Sequence, residues 1–213
     1  MGGTRAKAFL DLAGVPMLLR AARAFEAAPS VDALVAIVPS SELESAQEIL
    51  EPISKLFGVA SGGQRRQDSV EAGLTLAPPA FDGIVLVHDA ARPLVTVDMI
   101  EAVVTAARET GAALPVLRVV DTIKRVRNGL VEATLDREEL GSAQTPQGFR
   151  LAVRCRAYDE ARLAGITLTD EAMAVERLGE PVAVVPGAAR NRKITTVDDL
   201  AWAEALLSRE HAE

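Results

Sequence analysis

Apolar residues recur at helical spacing over 16–28, with Leu18, Leu19, Ala22 and Phe25 on one side and Pro16 suited to the first turn. Leu34–Val38 is an unbroken apolar run, as expected of a strand covered on both faces. Ser41 and Glu44 have capping-box spacing and predict a helix reaching about Leu50. Gly58–Gly63 reads as a strand end and loop, and 68–76 as a helix stopped by Pro78-Pro79. Ile84–Val87 predicts a second clear strand, Val97–Thr110 a helix closed by Gly111, and Ala113–Leu117 a third strand.

After Val120 the alternation breaks. Asn128-Gly129 sits between two short alternating runs, so 123–134 reads as a β-hairpin projecting from the sheet. Helices are then predicted over Leu151–Ala164 and Asp170–Leu178, and a strand at Val182–Val185. A short strand near Lys193-Ile194 precedes a last helix, capped by Thr196 with Asp199 three residues on. Wholly apolar strands alternating with amphipathic helices predict an α/β fold, a mostly parallel sheet with helices on both faces. The chain reads as a single domain over 1–213, with the arm at about 121–145.

Charge narrows the partners. Lys and Arg total 23 against 30 acids, a formal net charge of −7, which argues against nucleic acid and anionic membrane as general partners. The lone cysteine, Cys155, excludes an intrachain disulfide, fits a reducing cytoplasm and reads as a packing residue of its helix. No apolar run approaches a membrane span, and the start of the chain lacks a signal-peptide pattern, so the expectation is a cytoplasmic protein.

In open α/β sheets ligands bind beyond the carboxyl ends of the strands, and the suggestive motifs all fall there. Gly62–Ser69 is a Gly-Gly turn opening a helix; it suits an anion or nucleobase, or serves as an ordinary strand–helix turn. In "HDAARP", Asp89 could ligate Mg²⁺ or accept from a ribose hydroxyl, Ala90 and Ala91 would admit a ligand to the backbone, and Arg92 could grip a phosphate. The same stretch also fits a turn with a surface ion pair. His88 reads as a structural histidine, since no second base or nucleophile accompanies it. By pattern alone Lys7, Arg137 and Lys193 are surface cations, and Thr122, Thr145 and Thr169 are turn or cap residues.

Taken in order, "GGQRRQDSV", "VHDAARP", "DTIKR", "TLDREEL…QTPQGF", "TDEA" and "KITTVDDL" resemble the 2-C-methyl-D-erythritol 4-phosphate cytidylyltransferases of the non-mevalonate isoprenoid pathway, from Met1 to about Glu204. The resemblance implies a Rossmann-like sheet and a homodimer formed through the β-arm. It also implies transfer of CMP from CTP to a sugar-alcohol phosphate, with Mg²⁺ carried mainly on the CTP phosphates and pyrophosphate released. By motif, Lys7 in "KAFL" resembles the lysine that stabilises the pentacoordinate α-phosphate. Arg137 in "TLDR" and Lys193 in "KITT" resemble the pair that positions methylerythritol phosphate. Gly63, Gln64 and Ser69, with Ala90, match positions that hold cytidine. Asp89, Arg92, Thr122 and Thr145 match those that contact the sugar-alcohol phosphate, and Thr169 in "TDEA" is carried with them as substrate-binding. Arm residues cross the dimer in this family, which assigns Thr122 or Arg137 to the partner's site.

The start departs from the family pattern. Members begin with an apolar strand and an "AAGxGxR"-type loop; here Met1-Gly2 lines up just after that loop, and Ala6 stands where a proline precedes the lysine. The expectation is a start upstream of Met1, or else a catalytically poor protein, in the limit an inactive nucleotide-binding remnant. A ribitol- or ribulose-5-phosphate cytidylyltransferase shares the fold and many of the motifs, and is the alternative within the class.

Overall fold

The structure, a computed structural model, describes residues 7–78 and 80–210. Met1–Ala6, where the departure from the family pattern falls, and Pro79 of the expected helix stop lie outside the described residues. In chain order the elements are β1 (Asp11–Leu12), β2 (Val15–Pro16), α1 (Met17–Ala27), β3 (Leu34–Val38), α2 (Leu43–Leu50), β4 (Leu56–Ser61), α3 (Arg66–Leu74), β5 (Ile84–Val87) and α4 (Val97–Thr110). There follow β6 (Ala112–Arg118), β7 (Lys124–Arg127), β8 (Leu130–Thr134), β9 (Gly141–Ala143), β10 (Gln147–Arg150), α5 (Leu151–Leu163), α6 (Glu171–Arg177), β11 (Ala183–Pro186) and α7 (Val197–Glu210).

The main sheet has the order β11-β6-β10-β5, with β9 pairing β6 on the same ladder system. β11 runs parallel to β6, and β10 lies antiparallel between β6 and β5. β5, β6 and β11 therefore share one direction, and β3 and β4 form a separate parallel pair. The result is the expected mixed α/β architecture.

Helix α4 is the central packing element. Its N-cap Thr96 hydroxyl accepts from Met99 N–H, and Gly111 ends it at φ 96°, a left-handed conformation that glycine adopts without steric penalty. Met99, Ile100, Val103 and Ala107 are buried against α1 on one side and β6, β10 and β11 on the other. α1 buries Leu18 and Leu19 with Val38 and Leu50, and Phe25 with Ile100. α5 and α6 cover Phe149 and Ala112 with Ala157, Tyr158 and Val175. Burying a side chain such as Phe149 contributes about 1.5–3 kcal/mol, so β10 is anchored by its own core residue.

The hairpin forms as expected. Asn128 at φ 52° and Gly129 at φ 77° make the turn, and both positive angles match the twist of the β7–β8 pair.

Several expectations are corrected. Strands β9 and β10 fall in "GSAQTPQGFR", which carries no apolar run; hydrogen-bond ladders to β6 and β5 define them, not side-chain period. The Ser41–Glu44 capping box does not form, because Ser40–Glu42 turns as a 3₁₀ segment and α2 starts at Leu43 without a side-chain cap. α3 begins earlier than expected, since the Asp68 carboxylate accepts from the Arg65 backbone N–H at 3.2 Å and seals the first turn. No strand forms at 193–194; Ile194 donates once to Ala91 O at 2.8 Å and buries its side chain beside α7. Cys155 is exposed on α5 and takes no part in the core.

Gly148 on β10 faces α4 so closely that a Cβ there would lie 2.8 Å from Val103 Cγ1 and 3.0 Å from Leu86 Cδ2. Gly148→Ala should therefore destabilise the protein by about 1–3 kcal/mol through overpacking. Urea denaturation should show this as a lower midpoint, and an unchanged midpoint would mean α4 yields freely.

Candidate active site

The turn after β5 places a carboxylate among cations. Asp89 accepts from Lys193 Nζ at 2.9 Å and faces Arg66 Nη2 at 3.5 Å and Arg92 Nε at 3.9 Å. The three cations come from the segment after β11, the start of α3 and the turn itself. Burial opposes ionisation of Asp89, but the Lys193 hydrogen bond and the nearby charges outweigh it and hold the carboxyl below its ordinary range. Arg92 is held by Asn191 O at 2.9 Å, and its buried Nε makes no hydrogen bond. Burial, its largest influence, lowers its pKa. Asn191, fully buried, donates in turn to Thr145 O at 2.8 Å.

A proton chain of fixed direction supports this turn. Thr145 Oγ1 accepts from Asp89 N–H at 3.1 Å and lies 3.0 Å from His88 Nδ1, while His88 Nε2 lies 3.1 Å from Arg92 O. A carbonyl can only accept, so the imidazole proton sits on Nε2 and the threonine hydroxyl donates to Nδ1. That tautomer is neutral, in keeping with burial that pushes the His88 pKa down to about 4. His88 is thus a structural spacer, as its isolation in sequence suggested.

Two further segments adjoin this turn. Lys7 Nζ donates to Thr195 O at 2.9 Å, two residues beyond Lys193, and Asp199 fixes that stretch by accepting from Thr195 N–H and Thr196 N–H, both at 2.9 Å. In the loop after β4, Gly62 N–H donates to Val38 O at 2.8 Å and Gly63 N–H to Ser69 Oγ at 3.2 Å. A Cβ on Gly63 would sit 2.4 Å from Asp68 Cβ, so only glycine fits this turn. Gln64 is exposed at its tip, and Ala90 is half-buried on the cluster under α1.

The structure thus brings Asp89, Ala90, Arg92, Thr145 and Lys193 into one neighbourhood. Lys7 joins them through Thr195, and Gly63, Gln64 and Ser69 through Arg66, which opens α3. The other three residues lie elsewhere. Arg137 Nη1 donates to Val120 O at 2.7 Å at the base of the arm, Thr122 is exposed there, and Thr169 Oγ1 donates to Met173 Sδ at 3.4 Å. Sequence reasoning did not single out Arg66, Glu171 and Asn191. Arg66 and Glu171 lie inside the quoted motifs "GGQRRQDSV" and "TDEA", but nothing in an alternation of polar residues says which one turns inward.

Among the described residues no group of three or more His, Cys, Asp or Glu could hold a metal ion. Asp89, already encircled by Lys193, Arg66 and Arg92, does not fit the role of ligand to a resident divalent cation.

The burial of His88 predicts an acid sensitivity of known sign. The unfolded histidine takes up its proton near pH 6.5, the folded one only near 4, so acidification through that window favours unfolding. Asp89 and Asp199, both depressed, act only below about 3.8. Stability should fall by about 2 kcal/mol between pH 7.5 and 5, and His88→Gln should remove most of that difference. Urea midpoints at the two pH values measure it, and a wild-type midpoint that does not move would contradict the neutral buried imidazole.

The chain matches the family described as IspD: 2-C-methyl-D-erythritol 4-phosphate cytidylyltransferase over residues 1–209. A 2-C-methyl-D-erythritol 4-phosphate cytidylyltransferase of Geobacillus kaustophilus is 42% identical over 209 residues, covering 97% of this chain and 91% of that protein. The crystal structure of the Thermus thermophilus 2-C-methyl-D-erythritol 4-phosphate cytidylyltransferase superposes with a TM-score of 0.79 at 37% identity, covering 95% of this chain and 93% of that one. The 4-diphosphocytidyl-2C-methyl-D-erythritol synthase of Anaerococcus prevotii gives 0.88 at 25% identity, covering 95% of this chain and 93% of that one. On this match over residues 1–209, with the strand-end cation cluster in place, the chain belongs to the 2-C-methyl-D-erythritol 4-phosphate cytidylyltransferase family.

Proposed function

We propose that this chain transfers CMP from CTP to 2-C-methyl-D-erythritol 4-phosphate, releasing pyrophosphate, in isoprenoid precursor synthesis in the cytoplasm. The observation that carries the reading is the convergence of Lys193, Arg66 and Arg92 on Asp89 at the carboxyl end of β5, in a chain of this family. A substrate phosphate oxygen forms a bond to the α-phosphorus of CTP, and the bond from that phosphorus to the bridging oxygen of the β-phosphate breaks, with pyrophosphate leaving in line. Such chemistry depends on positioning and charge neutralisation, which fixed cations supply.

In this reading Gly63, Gln64, Ser69 and Ala90 hold cytidine, and Lys7 faces the transferring phosphate. Asp89, Arg92, Thr122, Thr145 and Lys193 receive the sugar-alcohol phosphate, joined by Thr169. Any Mg²⁺ travels on the CTP phosphates, as this ion commonly does, since Asp89 does not fit as its ligand. Arg137 acts across a homodimer formed by the arm, and the support for that is twofold. The arm exposes Val126, Leu130 and Val131 at 60%, 74% and 63%, and Arg137 sits at its base.

Pyrophosphate release from CTP by the protein as its gene encodes it should require methylerythritol phosphate, and release with ribitol 5-phosphate in its place would move the substrate assignment. Lys7→Ala should lower kcat about 10²–10³-fold while CTP binding changes little. Arg137→Lys, which cannot reproduce a planar fork, should raise KM for methylerythritol phosphate and leave that for CTP unaltered. If CTP is the substrate weakened, Arg137 has been given the wrong partner. Replacing 124–134 by a short turn should convert a dimer to a monomer in light scattering, and a surviving dimer would put the interface elsewhere.

A further inference from the structure

Helix α3 carries loop 62–65 at its start, yet none of its residues is fully buried, so apolar packing alone does not fix it. Charged groups hold it at two points. Arg66 Nη1 donates to both carboxylate oxygens of Glu171, whose side chain is fully buried at the start of α6. One turn on, Glu71 Oε1 accepts from Arg154 Nη1 of α5 at 2.7 Å. The ring closes between those pairs, because the Arg154 guanidinium lies 3.6 Å over the Tyr158 ring and the Tyr158 hydroxyl donates to Glu171 Oε1 at 3.0 Å. Burial and the Glu171 charge both raise the Tyr158 pKa, which keeps the phenol a donor.

A carboxylate removed from water keeps its charge only against a hydrogen-bonded cation, and stripping that cation away is strongly unfavourable. Arg66 is therefore not free to swing onto a ligand. Its other amino group stays turned toward Asp89, 3.5 Å away. We infer that Glu171 is a positioning residue of the nucleotide half of the site: by locking Arg66, it holds the start of α3, and with it loop 62–65, against the Asp89 turn. The inference rests on the reading that this loop holds the cytidine of CTP. Tyr158 and Arg154 brace Glu171 from behind. Two regions distant in sequence, the Gly-Gly loop and α6, are thereby one mechanical unit.

The test compares Glu171→Gln, Arg66→Gln and the double variant in CTP binding by calorimetry with magnesium present. Glu171→Gln should weaken CTP about 10–100-fold, as misplacement of a binding group does, with kcat at saturating CTP changed far less. Because Glu171 acts through Arg66, the double variant should bind CTP no more weakly than Arg66→Gln alone. Unchanged CTP binding in Glu171→Gln, or losses that simply add in the double variant, would overturn the inference. Should Glu171→Gln fail to fold, Tyr158→Phe keeps the ion pair and should show a smaller loss of the same kind, and an unaltered affinity there counts against it. A wild type that binds no CTP sinks the reading of the function instead. Amide hydrogen exchange over 62–74 then still decides on Glu171, with faster exchange in Glu171→Gln expected and equal protection overturning its role.

Discussion

A carboxylate at the end of a half-buried strand is favoured in its ionised form by cations held against it, and the molecule is organised to hold them against Asp89. Lys193 comes from the stretch leading to α7, Arg66 from α3 and Arg92 from the turn itself. Each is fastened by something other than Asp89: Arg92 by Asn191, Arg66 by Glu171, and the Lys193 stretch by Ile194 in the core. Three cations face two carboxylates there, which leaves the neighbourhood cationic within a chain whose overall charge is −7. Local field and global charge are separate quantities, and a phosphate-bearing substrate responds to the local one at short range.

The sheet sets the positions of these groups. β10 lies between β5 and β6, and Gln147 at its start accepts from Ala172 N–H at 3.0 Å and donates to Asp170 at 2.8 Å. A buried side chain from the middle of the sheet thus orients the first turn of α6, and with it Glu171. Gln144 does the same on the other side, donating to Ala188 O at 2.9 Å and accepting from Ala188 N–H at 3.1 Å. Buried amides held through both their nitrogen and their oxygen give definite geometry where apolar contacts would permit sliding.

Much of this was legible in the sequence, for physical reasons that differ by element. Ile84–Val87 announced itself because a covered strand is apolar throughout, and Asn128-Gly129 because few residue pairs tolerate two positive φ angles. β9 and β10 stayed hidden because strand identity there comes from partners, and short polar strands leave no period to read. Arg65 and Arg66 are adjacent and chemically alike, but helical phase sends the first to solvent and Asp68 and the second to Glu171. A buried glutamate contradicts the ordinary rule that acids face water, so no pattern could single out Glu171. The motif resemblance supplied roles to Lys7, Arg137 and Thr169 that pattern alone left as surface chemistry, and of these the structure draws only Lys7 toward the Asp89 turn.

The Lys7–Thr195 hydrogen bond joins residues 188 positions apart, and Leu12 and Met17 share a core with Ala203 and Leu207. A chain made from its amino end toward its carboxyl end must therefore have passed Leu207 before all of these contacts can form. Until then Lys7 has no carbonyl to hold it, and Leu12 and Met17 lack the helix that covers them. Contacts spanning almost the whole chain are slow to close entropically. During synthesis the β1–β2 pair and the start of α1 thus stay uncovered on one side until residues 197–210 have emerged to complete their core.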